Sequence, residues 1–183
     1  MSEALAPLFA ELSMQQVLER FPGARRALFR QYHIGGCSSC GFRPEETLAE
    51  VCARNGLADV PAVLAHLHAS RDQDEQLLLA TTELDRLLKT ATPPRVLDIR
   101  TREEYEAVRI PGAVLMSQDL MQEILGQWSR DDLFVICDHA GLQSLDAAAY
   151  FLGHGFKQVR CLRGGIDAWS VEVDPKLPRY RLE

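Results

Sequence analysis

No uninterrupted apolar run in the 183-residue chain approaches the roughly 18–20 residues that a membrane span requires; the longest, such as LFVIC at 133–137, are strand-sized. A secretory signal pattern is missing too, because the first basic residue is Arg20 and it follows Glu3 and Glu11. Neither half is basic: residues 1–75 hold seven basic against ten acidic residues and residues 76–183 hold thirteen against sixteen, for a net charge of −6. The phosphate-neutralising surface of a nucleic-acid binder is therefore not expected, and neither is a membrane partner. There is no internal repeat and no low-complexity tract. With 9 Pro, 12 Gly and 46% hydrophobic residues, collagen-like and disordered classes are excluded as well. What is left is a globular protein, expected in the cytoplasm, with enough chain for one large or two small cores.

Cysteine is sparse and informative. Cys37, Cys40, Cys52, Cys137 and Cys161 make an odd number, which in a reducing compartment argues against a disulfide framework and for metal, redox or nucleophilic use of some of them.

The chain changes texture near its middle. Residues 1–70 read as a small all-α domain. Ser13 with Gln16 is a capping box opening a helix that carries Met14, Val17 and Leu18; ARRALFRQYHI follows and runs into Gly35 and Gly36. Thr47 with Glu50 opens another helix, with Leu48, Val51 and Cys52 on one face, and Asp59 and Pro61 start a fourth, expected to end near His68. After the polar stretch SRDQDE, strand-like runs alternate with helical patterns: QLLLA, TTELDRLLKT, RVLDI, TREEYEAV, AVLM, SQDLMQEILGQW, LFVIC, SLDAAAYFLGHG, QVRCL, GGIDAW. That alternation predicts an α/β domain over residues 71–183, a mostly parallel sheet flanked by helices. In LDAAAYFL the apolar Leu145, Ala148, Ala149 and Leu152 share a helical face, predicted to pack on the sheet. Residues 171–183, with Pro175 and Pro178, read as an extended tail.

Cys137 ends the run LFVIC and is followed by Asp138, His139, Ala140, Gly141, Leu142 and Gln143, then by a helix that Ser144 could cap. Open α/β sheets form their sites at the carboxyl ends of strands, and the following helix is expected to aim its N-terminus at the sulfur. Backbone N–H donors and the positive helix end there would stabilise a thiolate or a bound anion. The nearby Asp138 and Asp146 would instead raise the thiol pKa if they face it. A half-buried cysteine that only finishes a strand is the competing reading.

At this point the chain resembles the rhodanese-like family. DIRTREEYEAVRIPGA carries the Asp-x-Arg, Glu-aromatic and Ile-Pro-Gly-Ala elements of that family's entry motif in Asp98, Arg100, Glu104, Tyr105 and residues 110–113, with Val108 and Arg109 replacing its usual Gly-His. Gly155, Phe156, Leu162, Gly164, Gly165 and Trp169 match its closing pattern, over about residues 76–170. The resemblance implies sulfur transfer: Cys137 takes a sulfane sulfur from a small donor, thiosulfate or a low-molecular-weight persulfide, and passes it to a thiol acceptor. Residues 138–144 would form the anion-binding loop, while Asp98, Arg100 and Glu104 are read as structural, Glu104 also forming a capping box with Thr101. The loop is one residue longer than the common Cys-x-x-Gly-x-Arg-Ser form and has Gln143 where the Arg stands. Its length resembles the phosphatase and arsenate-reductase branch, whose Arg clamp glutamine cannot replace, so neither activity is expected. Cys161, on an apolar strand, is read as core.

Cys37 and Cys40 form a Cys-Ser-Ser-Cys between Gly35–Gly36 and Gly41. Such spacing serves a dithiol/disulfide couple, half of a metal site or neither; zinc would need two more ligands, with His33 and Cys52 the nearby candidates. Residues 12–68 resemble the small redox-disulfide domain associated with hybrid cluster proteins and the amino-terminal domain of iron–sulfur repair proteins. That resemblance implies a redox pair at Cys37 and Cys40, with no cofactor and no metal assigned. The combined expectation is a sulfurtransferase whose Cys137 persulfide is resolved by the pair. The alternative is a catalytically weak binding or redox-sensing module with a docking N-terminal domain that meets a protein partner.

Overall fold

The computed structural model describes residues 7–35 and 41–180. The chain divides into two compact units, one ending at Gln76 and one beginning at Leu77.

In the first unit two of the short helices start where a local donor–acceptor exchange satisfies their first amides, whereas the helix that begins at Gly23 has no side-chain cap. Ser13 and Gln16 form a reciprocal box at α1 (Met14–Arg20), and α2 (Ala24–Tyr32) ends where His33 turns left-handed at φ 57°. Thr47 and Glu50 repeat the box at α3 (Leu48–Arg54). Met14, Val17, Leu28, Leu48, Val51, Cys52 and Leu67 are fully buried in one core. The fourth helix departs from expectation: α4 (Val60–Leu77) does not stop near His68 but continues through the polar stretch, so the 70/71 boundary falls inside it. SRDQDE contains no Gly or Pro to break a helix, Arg71 is buried, and Asp74 is ion-paired with Arg26 of α2. The strand expected over QLLLA is correspondingly reduced to β1 (Leu78–Leu79).

The second unit continues with α5 (Thr81–Leu88), β2 (Arg95–Asp98), α6 (Arg102–Ala107), β3 (Val114–Leu115) and α7 (Gln118–Gln127). It closes with β4 (Phe134–Cys137), α8 (Gln143–Gly153), β5 (Val159–Leu162) and α9 (Gly165–Glu172). All strand pairs are parallel and the order is β1-β5-β4-β2-β3. Every residue of β4 is buried, as a central strand covered on both faces requires. Its side chains alternate: Val135 and Cys137 pack with Leu84 of α5 and Ile166 and Trp169 of α9, whereas Phe134 and Ile136 pack with Ile124 of α7 and Leu145, Ala148 and Phe151 of α8. Phe134, Phe151 and Phe156 meet edge to face with centroids 5.2–5.6 Å apart, each pair adding about 0.5–1.5 kcal/mol beyond its buried area. The buried face of α8 is rotated from the predicted one, because the larger Phe151 takes the inward position and Leu152 stays 37% exposed. Among the described residues no helix is long and apolar enough to cross a membrane.

Candidate active site

From β2 the chain crosses to the β3 edge, and from β4 it crosses to β5 on the other side, so the carboxyl ends of β2 and β4 flank a topological switch point. Asp98 ends β2, Cys137 ends β4, and the two are register partners. Cys137 is fully buried, on the sheet face that carries α5 and α9, and its thiol donates to the Asp138 carbonyl at 3.4 Å. Burial pushes this thiol well above its ordinary range; the charges of Asp98 and Asp138 push the same way and Arg100 opposes them. Asp98 is the neighbour that sequence reading missed. The signal was there in RVLD and FVIC, two four-residue strands that each end on a buried, chemically active side chain.

The loop after Cys137 is organised by Asp138. Its carboxylate, on a residue only 3% exposed, accepts backbone N–H bonds from Gly141 (2.6 Å), Leu142 (3.0 Å), Gln143 (2.7 Å) and Ser144 (3.3 Å). Asp138 therefore caps α8 from outside the helix, in place of the expected Ser144, and the first amides of α8 face this carboxylate rather than the sulfur. Ser144 is fully buried with its hydroxyl unpartnered, and the Nδ1 atom of His139 is also buried without a partner. Ala140, Leu142 and Gln143 are exposed. Two glycines let the loop lie flat against the start of α9. A Cβ on Gly141 (φ 79°) would stand 2.7 Å from the Gly164 nitrogen, and one on Gly165 (φ 59°) would collide with the Asp138 and His139 carbonyls. Those carbonyls instead accept N–H bonds from Ile166 (3.0 Å) and Asp167 (3.1 Å).

Behind the loop lies a buried charge cluster. Arg100 donates from Nε and Nη2 to the two Asp98 carboxylate oxygens (2.9 and 2.6 Å), from Nη2 to the Val108 carbonyl (2.7 Å) and from Nη1 to the Tyr180 hydroxyl (2.8 Å). Burial opposes its charge, but the bonds to Asp98 and Tyr180 outweigh that and hold it protonated. The Tyr180 hydroxyl donates to Glu104 at 2.7 Å, and its ring lies 4.5 Å from that of His139. Burial and the Glu104 bond raise the tyrosine to about 12. Burial pushes Glu104 up, yet bonds from Tyr180 and Thr101 and the nearby Arg100 charge bring it below its ordinary value. Asp98, Arg100 and Glu104 thus make contacts within the protein, and the tail supplies Tyr180, a residue the sequence reading left without a role. An aromatic two places after Pro178 was the available signal.

Residues 80–172 match the family described as Rhodanese-like domain. The chain belongs to the rhodanese-like family. Among curated relatives, it is 28% identical over 154 residues to the adenylyltransferase and sulfurtransferase UBA4 of Candida albicans, covering 79% of this chain and 34% of that one. It is 30% identical over 84 residues to the thiosulfate sulfurtransferase GlpE of Pseudoalteromonas translucida, covering 46% of this chain and 80% of that one. The chain spans about a third of the length of the UBA4 relative and most of the GlpE relative. Among solved structures, a rhodanese-like domain protein from Staphylococcus aureus is similar at 26% identity and a TM-score of 0.46, over 57% of this chain and 98% of that one.

Within the rhodanese-like domain, period-two alternation separates the cysteines. Cys161 on β5 faces the α7/α8 side, opposite to Cys137, and is fully buried. In the first unit Cys52 is fully buried beside Leu48 and Val51, and burial raises its thiol as well. Cys37 and Cys40 lie outside the described residues, but the glycines that bound residues 36–40 are placed: a Cβ on Gly41 would stand 2.5 Å from the Gly35 Cα. His33 caps α2, and His66 Nε2 lies 3.0 Å from the Ala27 carbonyl. Among the described residues no group of three or more His, Cys, Asp and Glu side chains is gathered to hold a metal ion.

Proposed function

We propose that the protein is a sulfurtransferase that carries sulfane sulfur on Cys137. The observation that carries this reading is the position of Cys137 within the matched domain: it closes the central strand at the switch point and heads a loop packed against the Gly164–Gly165 turn. In the first half-reaction the Cys137 thiolate attacks the outer sulfur of a donor. A Cys137 Sγ–S bond forms as the donor–sulfur bond breaks, and the leaving group departs with the electron pair. In the second, a nucleophile takes the outer sulfur and Cys137 leaves as a thiolate. The unpartnered Ser144 hydroxyl and His139 Nδ1 support the reading, since buried polar atoms without partners are costly unless a ligand completes them. The sulfurtransferase names of the UBA4 and GlpE relatives point the same way.

Cys37 and Cys40 are read as the resolving pair, in line with the resemblance of residues 12–68 to a redox-disulfide domain. One thiolate takes the outer sulfur from Cys137, the other attacks its neighbour, and the dithiol is oxidised to a disulfide as the sulfane sulfur leaves reduced, as sulfide. Such chemistry belongs in a reducing compartment, and we place the protein in the cytoplasm with a small sulfur donor and a thiol acceptor as partners. A second reading, a binding or redox-sensing module whose N-terminal unit docks a protein, is favoured by the complete burial and raised pKa of Cys137.

Turnover separates the two. Incubation with glutathione persulfide and cyanide, followed as thiocyanate, is expected to show sulfur transfer that Cys137→Ser abolishes. Thiocyanate formed no faster than without protein would favour the sensing module.

A further inference from the structure

Resting on the sulfurtransferase reading, the geometry points to Asp138 as the residue that selects the sulfur donor, admitting the persulfide of a small thiol, R–S–SH, and rejecting the thiosulfate dianion. A loop that binds a three-oxygen dianion needs several N–H donors and positive charge. Here the four amides of residues 141–144 are already spent on the Asp138 carboxylate, at 2.6–3.3 Å. An internal anion therefore fills the cradle that a sulfonate would occupy, on a residue that is 3% exposed. The amides left for a ligand among the described residues are those of Asp138, His139 and Ala140, three of the seven in the loop.

Positive charge is equally committed. Gln143 stands where an arginine would, and Arg100 behind the loop is bound to Asp98, Val108 and Tyr180. A cavity of about 370 Å³ beside His139 does contain Arg179, but Asp167 accepts from it at 2.8 and 2.9 Å. A dianion at the loop amides would meet the Asp138 carboxylate, with Arg100 and Arg179 both already paired. A persulfide brings at most one negative charge to its reacting end and no sulfonate that needs further donors.

The transfer balances without another reactant. The Cys137 thiolate attacks the outer sulfur of R–S–SH, the new Sγ–S bond forms as the donor's S–S bond breaks, R–S⁻ leaves, and the proton stays on the transferred sulfur. With thiosulfate the leaving group would be sulfite, whose negative charge would develop against Asp138.

The test is the rate at which the intact protein gains one sulfur atom by mass, from equal concentrations of glutathione persulfide and of thiosulfate at pH 8. The wild-type protein is expected to load from the persulfide about tenfold or more faster, with Asp138→Asn and Asp138→Ser narrowing that ratio by speeding the thiosulfate reaction. Wild-type loading from thiosulfate at the persulfide rate overturns the donor assignment and leaves sulfur transfer intact. An unchanged ratio in folded Asp138 variants overturns the role of Asp138. No gain from either donor overturns the sulfurtransferase reading and this inference with it. If one Asp138 variant fails to fold, the other decides the role of Asp138, and the wild-type ratio decides the donor.

Discussion

Cys137 and Asp138 are adjacent in sequence and opposed in effect: one must ionise to react, and the other places a carboxylate beside it while organising the loop. Burial and the charges of Asp98 and Asp138 keep the resting thiol protonated, so alkylation of Cys137 by iodoacetamide, followed by peptide mass, is expected to be slow near neutrality. Its rate should still be climbing above the ordinary thiol value of about 8.5. Asp138→Asn should speed it at fixed pH; a Cys137 that reacts fully at pH 7 like an exposed thiol would contradict the environment described. The same shift has a sign for stability. A thiol raised in the folded state contributes stability that is complete below the unfolded value of about 8.5 and is lost as pH rises towards the folded one. Asp138 also shows what one sequence cannot reveal. Its neighbours read as an anion-binding loop, but the anion turned out to be the loop's own side chain, a choice fixed by the φ of Gly141 and the packing on Gly165 rather than by residue type.

At the scale of elements, β2 and β4 end together on Asp98 and Cys137, and the Asp98–Arg100 pair is what keeps the former satisfied. Both side chains are almost completely buried, at 1% and 2% exposure. Arg100→Met leaves a buried carboxylate uncompensated and is expected to cost about 3–5 kcal/mol in urea unfolding, whereas Asp98→Leu combined with Arg100→Met should recover much of that loss. Equal costs for the single and double variants would mean that the pair is not the source. Elements held by local chemistry were legible in the sequence: the capping boxes at Ser13, Thr47 and Thr101 each join residues three positions apart and are formed as the sequence predicts. Elements settled by distant partners were not. α4 runs nine residues past His68, where Arg71 is buried and Asp74 pairs with Arg26, and the inward face of α8 is chosen by Phe134 and Phe156 gripping Phe151. The meeting of Asp98 with Cys137 depends on strand register, and that of Tyr180 with Arg100 spans 80 residues.

At the scale of the molecule, the chain joins a rhodanese-like domain to a helical unit bearing Cys37 and Cys40, and the central claim is that sulfur enters at Cys137. The parallel sheet and its flanking helices follow from alternating apolar runs, so the architecture of the larger unit was readable in advance; the donor that suits its loop was not, because that turns on where four amides point. The most direct test is to incubate the full chain with glutathione persulfide, quench at intervals and map the added sulfur by peptide mass. One sulfur is expected first on Cys137, followed by a Cys37–Cys40 disulfide that clears it, with the persulfide lasting longer when both are changed to Ser. Sulfur that never resides on Cys137, or that loads equally well onto Cys137→Ser, would contradict that claim.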